Sequence, residues 1–112
     1  MEVTFHEAID KDLKKLKKYP APKESIDAWV RLFQVKGLEG TPSVDRYPGF
    51  GSHNIYKARV IALKENVGKS KGYRLIFELS TSSEVVCNIL CFSRHGIYKD
   101  EQELIAIIKS RL

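Results

Sequence analysis

The chain has 112 residues, the size of one domain, and 43% of them are apolar, which excludes an intrinsically disordered chain. No apolar run approaches the roughly 18–20 residues of a bilayer span. The opening MEVTFHEAIDKDL carries acids and no apolar h-region, so the expectation is a cytoplasmic protein without a secretory signal. Nineteen Lys and Arg against fourteen Asp and Glu give a net charge of +5, which serves solubility or affinity for a polyanion.

Residues 3–5 predict a short strand. Phe5, Ile9, Leu13 and Leu16 then recur at one-turn spacing, a helix that Pro20 and Pro22 stop. Its other positions hold Lys11, Lys14, Lys15, Lys17 and Lys18. That run reads first as a solvated face with cations near the negative helix end, and second as a contact for RNA or an acidic partner. A second helix is expected from Ser25 as its cap, with Ile26, Trp29, Val30 and Phe33 on its apolar stripe and Gly37 as its stop. Residues 37–54 hold four glycines and two prolines without a period and are expected to form a long loop.

From Ile55 the period becomes two. Residues 55–63, 73–79 and 85–92 predict three strands of an antiparallel meander. Lys57 and Arg59 share one face of the first, and Arg74, Ile76 and Glu78 share one face of the second. Asp100 followed by Glu103 is a capping box, opening a last helix with Leu104, Ile107, Ile108 and Leu112 as its apolar side. The expected order is β-α-α-β-β-β-α. The class is α+β, a small antiparallel sheet with two N-terminal helices and a C-terminal helix packed on it, all one domain over 1–112.

Cys87 and Cys91 would lie about 13 Å apart on one strand, too far for a disulfide, and would share a face as buried apolar groups. His6, His53 and His95 lie in separate segments without metal-ligand spacing, so no metal is expected. The segment VGKSKG lacks the spacing of a phosphate-binding loop. Arg74 inside an apolar strand must reach solvent, an anion, or a partner such as Glu78 or Glu65. Charge is unevenly spread: residues 51–99 hold eight bases against three acids, so the whole excess lies in the meander and the turn after it.

The stretches IYKARV, GKSKGYRLIFEL and VVCNILCFSRHGIYKDEQEL resemble the RelE/ParE superfamily of toxins from type II toxin–antitoxin modules. The step Gly72-Tyr73-Arg74, followed by two apolar strands and a basic end, carries most of the likeness, which covers Tyr56 to Leu112. The resemblance implies an endoribonuclease that cuts messenger RNA at the ribosome without metal or cofactor, and an acidic antitoxin protein as its partner. It implies that Arg74 and Arg94 stabilise charge on the phosphate. Lys57 and Arg59 would position the RNA backbone and aid proton transfer, with Lys69 and Lys71 as further RNA contacts. Tyr98 or His95 would be the acid/base. Two alternatives stand beside it: a non-enzymatic ParE-type inhibitor of DNA gyrase, and a RelE-fold module that binds RNA or protein without catalysis. The ribonuclease reading requires Lys57, Arg59, Arg74 and Arg94 to converge on one face.

Overall fold

A computed structural model describes residues 1–67, 71–81 and 84–112. In chain order the elements are β1 (Glu2–Phe5), α1 (Ile9–Lys15), α2 (Pro22–Gly40), β2 (Val44–Arg46), β3 (Ile55–Val60), β4 (Tyr73–Thr81), β5 (Val85–Arg94) and α3 (Glu101–Ser110). The five strands form one sheet ordered β1-β5-β4-β3-β2. Strands β2 to β5 pair antiparallel, whereas β1 joins β5 in parallel. The class is α+β as expected, but the sheet is mixed: α1 and α2 cross one face between β1 and β2, which form the two opposite edges of the sheet. No helix among the described residues is long and apolar enough to cross a membrane.

Alternation along β3 and β4 gives the sheet two unlike faces. The first face presents Ala58, Val60, Leu75 and Phe77 to Ile9, Leu16, Ile26, Trp29 and Phe33 of α1, the turn after it, and α2. Trp29 stacks on Phe33 with ring centres 4.8 Å apart, and Phe33 lies 5.1 Å from Phe77. The stripe of α2 is therefore the core anchor that its spacing predicts. The second face holds a smaller apolar cluster, where Ile55, Ile76, Leu90 and Cys91 meet Ile108 of α3 and Tyr47 and Phe50. Leu112, expected on the apolar side of this helix, is exposed; Ile105 packs there instead.

Two local expectations are corrected. Ser25 does not cap α2: the helix opens three residues earlier at Pro22, after Ala21 in the left-handed region (φ 51°). Ser25 is buried in the helix body, where its hydroxyl accepts a 3.2 Å hydrogen bond from the Leu63 N–H. Pro22 thus opens a helix, where its missing N–H costs nothing. Residues 37–54 are not all loop. Gly37 (φ 71°) breaks α2, Thr41 then caps the break through N–H and hydroxyl bonds to the Gly37 carbonyl, and β2 follows.

A β-bulge in β5 has the largest consequence. Ile76 lies opposite Cys91 but Phe77 lies opposite Ile89, so Leu90 is the extra residue. Before it Cys87 and Ile89 face the first cluster; after it Cys91 faces the second. The two thiols therefore point to opposite faces, contrary to the expectation from simple alternation. Both are buried and free. Burial pushes the Cys87 thiol up to about 12, and burial followed by the charge of Asp12 pushes Cys91 up to about 11.

Strand β1 pairs with β5 only as far as Ile89. Beyond it the β5 edge is closed by two side chains. The Asp12 carboxylate of α1 accepts from the Phe92 N–H at 2.9 Å, and the Arg111 guanidinium donates to the Leu90 carbonyl at 2.8 Å. Arg111 also donates twice to Asp12, at 2.6 and 2.9 Å. The Asp12 side chain is 0% exposed and that of Arg111 10%. This pair satisfies the two edge groups flanking the bulge and fastens α1 and the end of α3 to β5. Replacing Arg111 by Met leaves a buried carboxylate without its cation and is expected to cost about 3–5 kcal/mol in urea denaturation. The double change Asp12→Leu with Arg111→Met should cost less than the sum of the single changes. A loss under about 1 kcal/mol for Arg111→Met would show that the pair does not hold the edge.

Candidate nucleic-acid groove

On the second face, strand register sets Arg59 directly opposite Arg74, and Arg74 opposite Ser93. One pair along, Asp45 is opposite Lys57 and Lys57 opposite Ile76. These rows floor a groove of about 500 Å³. One wall is Tyr47 with β2; the other is the turn between β5 and α3, bearing His95, Tyr98 and Lys99. Arg59, Arg74, Lys57, His95 and Lys99 are exposed in it.

Each wall is held by identifiable contacts. The Tyr47 hydroxyl donates to the Glu101 carboxylate, joining the segment after β2 to the first turn of α3. Burial above all, with that hydrogen bond and the Glu101 charge, raises the Tyr47 pKa and keeps the hydroxyl protonated. Lys57 Nζ lies 5.0 Å from the centre of the Tyr47 ring. Asp100 caps α3 by accepting from the Glu103 N–H at 3.0 Å, and the Glu103 carboxylate accepts from the Lys99 N–H at 2.8 Å. The predicted capping box is therefore what sets the groove-side turn. On the floor, Gly72 is obligatory two residues before Arg74, since a Cβ there would collide with the Val60 carbonyl of β3.

The acids that could have neutralised Arg74 are engaged elsewhere. Glu78 is 2.6 Å from His53 Nδ1, and Glu65 pairs with Arg94. Among the described residues Lys57, Arg59, Arg74 and Lys99 make no ion pair. Two arginines face to face on adjacent strands repel one another. Asp45, Asp100 and Glu101 also line the groove, so its cations are concentrated on the floor rather than around the whole rim.

Arg94 corrects the expected convergence. With Leu90 bulged, Arg94 lies opposite Tyr73 on the first face, and Ser93 takes the place beside Arg74. The Arg94 side chain is 9% exposed and donates to Glu65 at 2.6 and 2.9 Å and to the Lys71 carbonyl at 2.9 Å. Its guanidinium is stacked between Tyr19 (4.1 Å) and Tyr73 (5.0 Å). The hydrogen bonds to Glu65 raise the Arg94 pKa and hold the Glu65 carboxyl below its ordinary value. Saturated in this way, Arg94 fastens the β3–β4 connection and is not available to a phosphate in the groove.

Of the expected site residues, Lys57, Arg59, Arg74, His95 and Tyr98 line the groove, and Arg94 borders it with its guanidinium directed to Glu65. Tyr98 is half-buried with its hydroxyl 3.4 Å from Cys91 Sγ, and burial followed by Cys91 raises its pKa. It can donate a hydrogen bond or a proton but is no base near neutral pH. Lys71 is exposed, holds Arg94 through its carbonyl and does not line the groove. Lys69 lies outside the described residues. Ser93 and Lys99 are site residues that sequence reasoning missed; the bulge hid the first, and the second carried no signal beyond its place in the SRHGIYKD segment. Among the described residues no group of three or more His, Cys, Asp or Glu could hold a metal. Comparison with family models, with curated proteins and with solved structures finds no match to this chain.

The opposed arginines make a direct prediction. Arg59→Gln or Arg74→Gln should raise thermal stability at low salt by the equivalent of about 0.2–1 kcal/mol, and the gain should shrink as salt screens the repulsion. Inorganic phosphate should stabilise the unaltered protein more than either variant. A fall in melting temperature for both variants at low salt would mean that the two guanidinium groups are not in conflict.

Proposed function

We propose that this chain is a RelE-like toxin, a metal-independent endoribonuclease of the cytoplasm whose groove holds the phosphate backbone of messenger RNA. The observation that carries the reading is the unpaired Arg59–Arg74 couple on the groove floor, beside Lys57. Such a couple costs stability on its own and loses that cost when a phosphate lies between the guanidinium groups. In this reading Arg59 and Arg74 stabilise the charge that develops when the RNA 2′-hydroxyl attacks the adjacent phosphorus. Lys57 positions the neighbouring backbone. The P–O5′ bond breaks, leaving a 2′,3′-cyclic phosphate and a 5′-hydroxyl. His95 is the imidazole that lines the groove, and imidazole can take the 2′-hydroxyl proton and deliver one to the leaving oxygen. The Tyr98 hydroxyl serves as a donor only. An acidic antitoxin would neutralise the same cations.

Arg94 is spent on Glu65, so the four-cation convergence required of a ribonuclease is not met, and the ribonuclease reading rests on Lys57, Arg59 and Arg74 alone. This favours one second reading, an RNA-binding module of the same shape without catalysis. Induction of the chain alone is expected to arrest growth, and the purified protein to cut ribosome-bound message with cyclic-phosphate ends. Arg74→Gln should lower the cleavage rate by about 10²-fold or more, while Arg94→Lys should act mainly on stability. Binding of RNA without cleavage would select the second reading. Arrest with intact message and lost gyrase activity would overturn both.

A further inference from the structure

We propose that the lysine run of α1 and the turn after it forms a second contact surface for the same RNA strand, continuous with the groove; the inference rests on the RNA reading of that groove. Lys11, Lys14, Lys15, Lys17 and Lys18 are all exposed and, among the described residues, make no ion pair. Of the two acids of α1, Asp10 is exposed at its start, whereas Asp12 is turned inward and consumed by Arg111 and the Phe92 N–H, so the helix surface is more cationic than its sequence suggests. The same contacts clamp α1 against the β5 edge, which fixes the lysines relative to the groove.

Continuity is seen at the Tyr98 ring, and the run ends beside Tyr19, the ring on which Arg94 stacks. Lys15 Nζ lies 5.8 Å from the centre of the Tyr98 ring, and Tyr98 is itself a wall of the groove. Lys18 Nζ lies 5.2 Å from the Tyr19 ring. A strand leaving the groove past Tyr98 therefore meets cations at once, in an alternation of ammonium groups and aromatic rings. Phosphates and bases of a single strand suit that alternation, whereas an acidic peptide has use for the charges but none for the rings.

The test uses two uncleavable RNAs carrying 2′-deoxy substitutions, a trinucleotide and a strand of about 12 nucleotides, bound to the full chain in fluorescence anisotropy at several salt concentrations. The longer RNA is expected to bind the unaltered protein at least about tenfold more tightly. The triple variant K14Q/K15Q/K18Q, with its fold checked by circular dichroism, should lose that advantage and leave the trinucleotide unaffected. Its slope of log affinity against log salt for the longer RNA should fall by up to about 2, near 0.7 for each lost phosphate contact. Equal affinity and slope for variant and unaltered protein would overturn the α1 surface alone. Failure of the unaltered protein to bind even the trinucleotide would overturn the groove reading as well. A triple variant that keeps the longer RNA but loses a poly-glutamate probe would overturn the inference in favour of an acidic protein partner.

Discussion

The geometry of the groove depends on how the edge of β5 is closed beyond Ile89. In a regular sheet β1 would continue and satisfy the next N–H and C=O groups. Here a carboxylate from α1 and a guanidinium from the end of the chain do so, and they also satisfy each other. Buried backbone groups without partners are costly, so this closure decides whether β5 can carry an extra residue at Leu90. The bulge in turn reverses the faces of all that follows. Ser93 and His95 come to the groove, Arg94 borders it but turns its guanidinium to Tyr19 and Tyr73 of the first face, and Cys91 enters the small core beneath α3.

The same residue type consequently has two fates on adjacent paired strands. Arg94 is stacked between two tyrosines and saturated by Glu65 and a carbonyl, which makes it a fastener for the β3–β4 connection. Arg74 and Arg59 are exposed, unpaired and opposed. A protein that needed only stability would pair or replace them; one that binds phosphodiester keeps them apart from carboxylates until the ligand supplies the counter-charge. Of the groove's acids, Asp100 caps α3 and Glu101 holds Tyr47, while Asp45 lies opposite Lys57.

Much of this was legible in the residues. Ile26, Trp29 and Phe33 announce the buried side of α2 by period alone, and alternation puts Lys57 and Arg59 on one face of β3 and Arg74 on one face of β4; the strand register joins the two. The Asp100–Glu103 signal located the start of α3 at its cap, while the expected apolar side ran two residues past its end at Ser110. The bulge was hidden for a physical reason: beyond Asn88 the run ILCF is apolar on both faces, so no polar residue marks where the alternation reverses. That one gap accounts for the misplacement of both Arg94 and Cys91. The Asp12–Arg111 contact joins residues 99 positions apart, and the parallel docking of β1 is equally long-range; local pattern carries neither. In 37–54 the glycines and prolines masked β2 and the burial of Tyr47 and Phe50.

The central claim is that the second face of the sheet, and not the first, receives RNA phosphate at Arg59 and Arg74. Nuclear magnetic resonance of the isotope-labelled chain, titrated with an uncleavable RNA, tests it most directly. The account predicts that the arginine Nε–H signals of Arg59 and Arg74 and the backbone amides of 93–99 shift together and saturate, while the Trp29 indole and the Arg94 Nε–H stay in place. Shifts confined to the opposite side, around Trp29, Ile61 and Leu63, with Arg59 and Arg74 unmoved, would contradict it.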